Sequence, residues 1–346
     1  MKIGNCEIGI GHPTFIVAEL SANHNQDINI AIELIHQAKL SGADAIKMQT
    51  YTPDTITLNC DNDFFKIKGT HLWDNQTLYQ LYQKAYTPWD WFPKLQKETL
   101  SLGMEFFSSP FDTTAVDFLE TLNVPCYKIA SAEITDHILI KKIAQTKKPV
   151  IISSGMASMG ELEEAITVLR KNGTTDIAML KCTAEYPAKP DDANLMTIQH
   201  MMSSFNVIGG LSDHTLGITV PVCSVVMGAS IIEKHFTLSR SSGSPDDAFS
   251  LTPSEFKEMV DAVRIAEKVS GKITYGGVKG EQEMKKFRRS LFFCKDINKG
   301  EIIDSSVVRS IRPGDGLHTK YYDEIIGKKT KCDIKFGTPV AWNLLE

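Results

Sequence analysis

Two histidines give the first sign of chemistry. His214 stands in Leu211-Ser-Asp-His-Thr215, after the apolar run Asn206 to Leu211, and His235 stands in Ile232-Glu-Lys-His-Phe236. Each has an acidic neighbour, Asp213 and Glu233. Imidazole is a common ligand of borderline metals, so two of them at the ends of neighbouring strands could share one divalent ion. A single histidine in such a setting is more often an ordinary buried or surface residue. The weight therefore falls on what else occupies the same structural position. Glu19 closes an apolar run, Lys47 and Gln49 lie two apart and so share one face of a strand, and Lys128 shares a face with Ala130. Ser109, Ser153 and Ser212 close three further runs. Two lysines and several hydroxyls suit a phosphate and a carboxylate, and charges turned into a sheet are costly without such a ligand.

The elements that must position these residues alternate along the chain. Short β-rich runs begin at Phe15–Glu19, Ala45–Gln49, Glu105–Ser109 and Cys126–Ala130, and continue at Val150–Ser153, Ile177–Lys181, Val207–Leu211 and Ser230–Phe236. Helical spacing separates them. Ile28 to Ser41 places Ala31, Leu34, Ile35 and Ala38 on one side, and Pro253 to Val269 has Thr252 as N-cap, proline at the first position and Gly271 beyond its end. Eight such units over about 270 residues are the length of one (β/α)₈ barrel. An open doubly wound sheet is the alternative, and no Gly-x-Gly-x-x-Gly follows an early strand to support it. In a barrel the C-terminal strand ends face the active site, which is where the polar residues fall. The long stretch Thr52 to Tyr86, rich in aromatic and polar residues, is then expected to cover that face.

The barrel domain is assigned to residues 1–271, a glycine-rich, charged linker to 272–289, and a small β-rich domain to 290–346. Among the 346 residues 42% are hydrophobic and 23% charged, with a formal net charge of −5, an ordinary globular composition without a basic footprint for nucleic acid. No apolar run approaches the roughly 18 residues of a membrane span, and the first residues lack a signal-peptide pattern. Seven scattered cysteines without a Cys-x-x-Cys pair argue against a disulfide framework or zinc knuckle, and fit a reducing cytoplasm.

Taken together, Asn23-His-Asn25, Lys47-Met-Gln49, Ser109-Pro-Phe-Asp112, Tyr127-Lys-Ile-Ala-Ser-Ala-Glu133, Ser153-Ser-Gly-Met156, Leu211-Ser-Asp-His214 and Glu233-Lys-His-Phe236 resemble the sialic acid synthase family. These enzymes condense phosphoenolpyruvate with an acylamino sugar to give a nine-carbon nonulosonic acid. The resemblance spans nearly the whole chain, Arg312-Pro-Gly-Asp-Gly316 being similar to the family's small antifreeze-like (SAF) domain. His71-Leu-Trp-Asp74, Leu78-Tyr-Gln-Leu-Tyr82, Thr87-Pro-Trp89 and Asp247-Ala-Phe-Ser250 are most similar to the pseudaminic acid branch, which implies 2,4-diacetamido-2,4,6-trideoxy-L-altrose as the sugar.

The resemblance implies a phosphoenolpyruvate site of Lys47, Ser109, Lys128, Ser131, Ser153 and Ser212, and a metal held by His214 and His235: manganese, with magnesium or cobalt as alternatives. It implies sugar contacts from Glu19, Gln49, Asp74, Glu133, Tyr186, Asp246 and Arg312, the arginine reaching the other subunit of a domain-swapped homodimer. Glu19 or Glu233 would orient the water that adds at C2, with Lys47 and Lys128 holding the anion. Two departures mark the sugar end: Ala184 where the family carries asparagine, and Ser244-Pro-Asp-Asp247 in place of a Gly-Pro-Asp pattern. The competing readings are the sibling sugars that lead to neuraminic and legionaminic acids, a Schiff-base aldolase acting through Lys128 or Lys47, and a sugar- or surface-binding protein led by the SAF-like tail.

Overall fold

The computed structural model describes residues 1–69, 74 and 76–346, so of the motif His71-Leu-Trp-Asp74 only Asp74 lies within the described residues. The chain divides into two compact units, Met1–Gly271 and Lys272–Glu346.

In the first unit eight parallel strands close into a barrel: β1 Phe15–Glu19, β2 Ala45–Thr50, β3 Glu105–Pro110, β4 Tyr127–Ile129, β5 Val150–Ser153, β6 Ile177–Cys182, β7 Ile208–Asp213 and β8 Ile231–His235. Each pairs with the next in sequence, and β8 returns to β1 through Ile231↔Phe15 to His235↔Glu19. The strands are buried along nearly their whole length because helices cover one face and the lumen takes the other. Helix Ile28–Leu40 shows how this layer forms. Asp27 caps it by accepting the Asn29 N–H at 2.8 Å, and Ala31, Leu34, Ile35 and Ala38 recur at helical spacing to face the strands. Helix Pro253–Ser270 starts where Thr252 and Glu255 close a capping box.

Alternation along each strand sends every second residue inward, and those residues change character up the barrel axis. Phe15, Val17, Ala45, Phe107, Cys126, Ile151, Ala178, Leu180 and Ile231 form an apolar floor, which Ile3 and Ile8 extend from the N-terminal hairpin. That hairpin is tied down where Glu105 Oε1 accepts the Asn5 N–H at 2.7 Å. Its Gly4, at φ +54°, lies so close that a Cβ would sit 1.9 Å from the Glu105 carboxylate. Two residues further up come Glu19, Lys47, Ser109, Lys128, Ser153, Cys182 and Glu233, with Ser212 on β7 and His235 two beyond Glu233. The polar chemistry therefore sits on a sealed hydrophobic base.

In the second unit, strands Ser290–Phe293 and Val308–Ile311 pair antiparallel around a core that includes Leu291, Phe293, Ile303, Val308 and Ile325. Isolated bridges such as Ile297↔Ile334 supply most of its remaining β character. The stretch expected to be a plain linker contains a short exposed helix, Lys279–Met284, and a turn of 3₁₀ helix, Lys285–Phe287. Val278 to Glu281 carry its start signal, the Val278 N–H donating to the Glu281 carboxylate at 2.7 Å. No helix among the described residues is long and apolar enough to cross a membrane.

Candidate active site

Charge organises the upper lumen. Lys47 ion-pairs with Glu19, lies 3.4 Å from Glu233 Oε1, and donates to Ser109 Oγ at 3.5 Å. Lys128 donates to Ser153 Oγ at 2.7 Å and lies 3.5 Å from the same Glu233 oxygen. The Ser212 hydroxyl donates to that oxygen at 3.1 Å. The result is a chain, Glu19–Lys47–Glu233–Lys128, flanked by three hydroxyls, and all four charged side chains are buried. The sequence led to the expectation of two lysines waiting for an anion and a carboxylate set apart for water. Instead both lysines are already compensated, with Glu233 bridging them. The strand register explains this, since Glu19 pairs with Lys47 across β1 and β2, and Ser212 with Glu233 across β7 and β8.

Burial pushes the Glu19 carboxyl up, with Glu233 adding to the rise and Lys47 opposing it. For Lys47, burial pulls down, but the two carboxylates outweigh it and hold the ammonium above its usual range. Burial and the neighbouring Lys47 bring Lys128 down against the pull of Glu233. Burial would raise Glu233, yet Lys128 and Lys47 keep it below the usual carboxylate range. One Glu233 oxygen, Oε2, is buried with no hydrogen-bond partner among the described residues. An orphaned acceptor in a charged cavity suits a proton-bearing group such as water or a sugar hydroxyl.

The two histidines face each other at the mouth, their ring centroids 5.3 Å apart. His214 Nδ1 lies 2.8 Å from the Thr183 carbonyl, to which it donates, and His235 Nδ1 lies 3.2 Å from Ser21 Oγ. Both rings thus have one nitrogen engaged and Nε2 left over, the arrangement that orients metal-binding imidazoles. Burial, His214 and the lysines hold His235 well below its ordinary value and keep it neutral, as ligation requires. Burial would lower His214, but Cys182, its Sγ 3.9 Å from Nδ1, and the Thr183 carbonyl raise it. No group of three or more His, Cys, Asp or Glu is poised around a metal position among the described residues. The two facing imidazoles, each with Nδ1 engaged, are the nitrogens that could hold a divalent ion here. Tyr186 packs on His214 with centroids 4.3 Å apart, and Phe249 lies 4.9 Å from His235, giving the pair an aromatic wall.

Around this centre lie the remaining expected residues. Ser131 Oγ accepts the Gly155 N–H at 3.1 Å, and a Cβ on Gly155 would come within 2.6 Å of that oxygen. Ala184 closes the same corner, its Cβ 3.2 Å from that position, while Glu185 is exposed. Burial lifts Glu133 to about 7, and its Oε2 has no hydrogen-bond partner among the described residues. Asp246, also raised by burial, accepts the Ala22 N–H at 3.4 Å. Gln49 is half-buried one turn of pleat above Lys47, Asp74 is half-buried in a turn of the inserted stretch, and Arg312 is an exposed residue of the second unit.

Described residues of the inserted stretch lie beside the loop after β1 and the loop that carries Asp246. Gln26 Nε2 donates to the Lys84 and Tyr86 carbonyls, and His24 Nε2 bonds Thr87 Oγ1 at 2.8 Å. Burial lowers His24 to about 4, so it acts as a neutral structural anchor. A cavity of about 260 Å³ separates Gln76, Leu81 and Lys84 from the loop Gly243–Ala248 that carries Asp246. Ser21, Cys182 and Thr183 fall in the polar strand ends and Phe249 in Asp247-Ala-Phe-Ser250, but the sequence assigned none of them a role at the site. The inward period of two pointed to Cys182, two residues beyond Leu180, while the partners of the other three are set by the assembled barrel.

Comparison with known proteins agrees with this geometry. The model of the NeuB family matches residues 34–275, and that of the SAF domain matches residues 288–346. A pseudaminic acid synthase of Helicobacter pylori is 47% identical over 96% of this chain and 98% of its own length. One from Campylobacter jejuni subsp. jejuni is 45% identical over 97% of each. Among solved structures, an N-acetylneuraminic acid (sialic acid) synthetase from Leptospira borgpetersenii in complex with citrate superposes with a TM-score of 0.72 at 31% identity, covering 82% of this chain and 94% of that one.

Proposed function

This chain belongs to the NeuB family and carries a SAF domain, and on that premise we propose that it joins phosphoenolpyruvate to 2,4-diacetamido-2,4,6-trideoxy-L-altrose, giving pseudaminic acid and phosphate. The names of relatives at 45–47% identity over nearly the full chain support the choice of sugar. The observation that carries the reaction class is the lumen itself: two buried lysines and three hydroxyls converge above an apolar floor, beside two facing imidazoles.

Lys47 and Lys128 take the phosphate and carboxylate of phosphoenolpyruvate in place of the glutamates, and Ser109, Ser131, Ser153 and Ser212 set the anion's orientation. His214 and His235 would hold the divalent ion, manganese in our assignment, through Nε2; when bound it supplies Lewis acidity toward the aldehyde oxygen of the open-chain sugar. The carbon–carbon bond forms between C3 of phosphoenolpyruvate and the aldehyde carbon, leaving cationic character at C2. A water held by Glu233 or Glu19 adds there and gives up its proton to the carboxylate. The C2–O bond to phosphate then breaks as the C2 hydroxyl becomes the ketone and its proton passes to the leaving phosphate. The carboxylate returns its proton to the aldehyde-derived oxygen, and hydrogen phosphate leaves on the two ammonium groups. Gln49, Asp74, Glu133, Tyr186 and Asp246 are assigned to the sugar. Arg312 is assigned to the partner subunit's site in a cytoplasmic, domain-swapped homodimer. The test is phosphate release from phosphoenolpyruvate with three sugars in parallel. Release with the altrose derivative at least tenfold faster than with N-acetylmannosamine or the legionaminic acid precursor is expected. A preference for either of the others refutes the substrate assignment, and borohydride trapping of pyruvate on Lys47 or Lys128 refutes the mechanism.

A further inference from the structure

One buried ion pair takes no part in the reaction just derived. Lys234 is fully buried and Asp213 is 3% exposed. Lys234 Nζ lies 2.5 Å from Asp213 Oδ2 and also donates to the Thr215 carbonyl. Asp213 in turn accepts the Thr215 N–H at 3.0 Å and the Thr215 hydroxyl at 3.1 Å. Both Asp213 carboxylate oxygens and two of the ammonium donors of Lys234 are thus spent within one short turn.

Position gives the pair its meaning. Asp213 and Lys234 are direct partners across β7 and β8, and each immediately precedes a histidine. Alternation puts the ion pair on the outer face of the barrel and the histidines on the lumen side, one residue further along. Burying two charges costs several kcal/mol per ion, and a well-packed apolar pair at such a place is commonly as stable or more so. Stability alone is therefore a poor reason for this pair. Local geometry offers a better one. The ion pair ties the end of β7 to β8, and its bonds to both polar groups of the Thr215 backbone and its hydroxyl lock the turn that carries His214.

We propose that Asp213 and Lys234 are positioning residues that preset the separation and aim of His214 and His235 for a divalent ion. The proposal rests on the metal reading given above. Groups that orient ligands from behind are worth about 10–100-fold in metal affinity. The pair bonds to itself and to Thr215 on the outer face, away from Lys47 and Lys128, so its loss should leave the anion end of the site alone.

The experiment measures Mn²⁺ affinity of the full chain by electron paramagnetic resonance of free Mn²⁺. It compares wild type, Asp213→Asn, the apolar double variant Asp213→Leu with Lys234→Met, and His214→Ala. Thermal melting and phosphoenolpyruvate binding to the metal-free protein are recorded alongside. The expected result is Mn²⁺ binding weakened at least tenfold in the folded double variant and in Asp213→Asn, with phosphoenolpyruvate affinity held within about twofold. The asparagine variant keeps the shape of the site and serves if the double variant does not fold. Wild-type Mn²⁺ affinity in a folded variant overturns the proposal, and so does a parallel loss of phosphoenolpyruvate binding, which would mark a general structural role. Wild-type protein that binds no Mn²⁺, or binds it unchanged after His214→Ala, overturns the metal reading itself.

Discussion

Replacing Lys47 by methionine tests the lumen charge chain most directly. Lys47 pairs with Glu19 and lies 3.4 Å from Glu233, and all three side chains are at most 6% exposed. Removing it leaves Glu19, Glu233 and Lys128, a buried cluster with one uncompensated negative charge. Breaking a buried pair from one side costs about 3–5 kcal/mol, which for a unit of this size lowers Tm by roughly 6–10 °C. The pH dependence identifies the cause. Burial already holds the folded pKa of Glu19 above its ordinary 4.5, and losing Lys47 raises it further. A carboxyl with a raised folded pKa keeps its contribution to stability at pH values below the unfolded pKa and loses it as pH climbs toward the folded one. The deficit of Lys47→Met should therefore be smaller at pH 5 than at pH 8. Adding Glu19→Gln restores charge balance and should recover most of the loss at pH 8, while leaving the synthase inactive. Melting curves of the three proteins across pH 5–8 measure all of this. A Lys47→Met deficit that is absent, or equal at both ends of the range, refutes the charge argument.

Three further outcomes are expected. His214→Ala or His235→Ala abolishes phosphate release, and wild-type activity lost to a chelator returns with added Mn²⁺; full activity after exhaustive metal removal refutes the assignment. Gly155→Ala pushes a Cβ to within 2.6 Å of Ser131 Oγ and breaks the bond that hydroxyl accepts, so KM for phosphoenolpyruvate should rise about tenfold with little change in Tm. Glu133 sits near 7 because of burial, so its favourable neutral form is lost as pH rises from 4.5 to about 7. The Tm of Glu133→Gln relative to wild type should rise through that window, and a constant difference shows that Glu133 does not titrate there.

Much of the architecture was legible in the chain because each piece of it is local. Period-two and helical-period runs gave all eight barrel strands within a residue or two, and Thr252, Pro253 and Gly271 bounded the last helix where it is found. Inward lysines, serines and histidines followed from the same alternation. What the sequence did not carry was the lateral relation between strands. Nothing within Phe15–Glu19 or Ala45–Gln49 tells that Glu19 stands beside Lys47, because that register is set by closure of the barrel. The same holds for Asp213 and Lys234, which read as two ordinary charges and prove to be one buried contact. Residues 272–289 show the converse, a short helix at Lys279–Met284 that glycines and charges did not announce and whose side chains have no core to face.

That lateral register also explains how the lumen tolerates so much charge without a ligand. Two ammonium groups and two carboxylates share it, and Glu233 stands between both lysines, so the cluster is neutral before substrate arrives. An anion entering this space competes with Glu19 and Glu233 for the same ammonium protons, and does so as a bearer of more negative charge than either. In the proposed reaction, the glutamates it displaces would be the bases nearest C2 when a water must lose a proton there. On that proposal, binding the anion and arming the base would be one event, built from four inward residues on four strands.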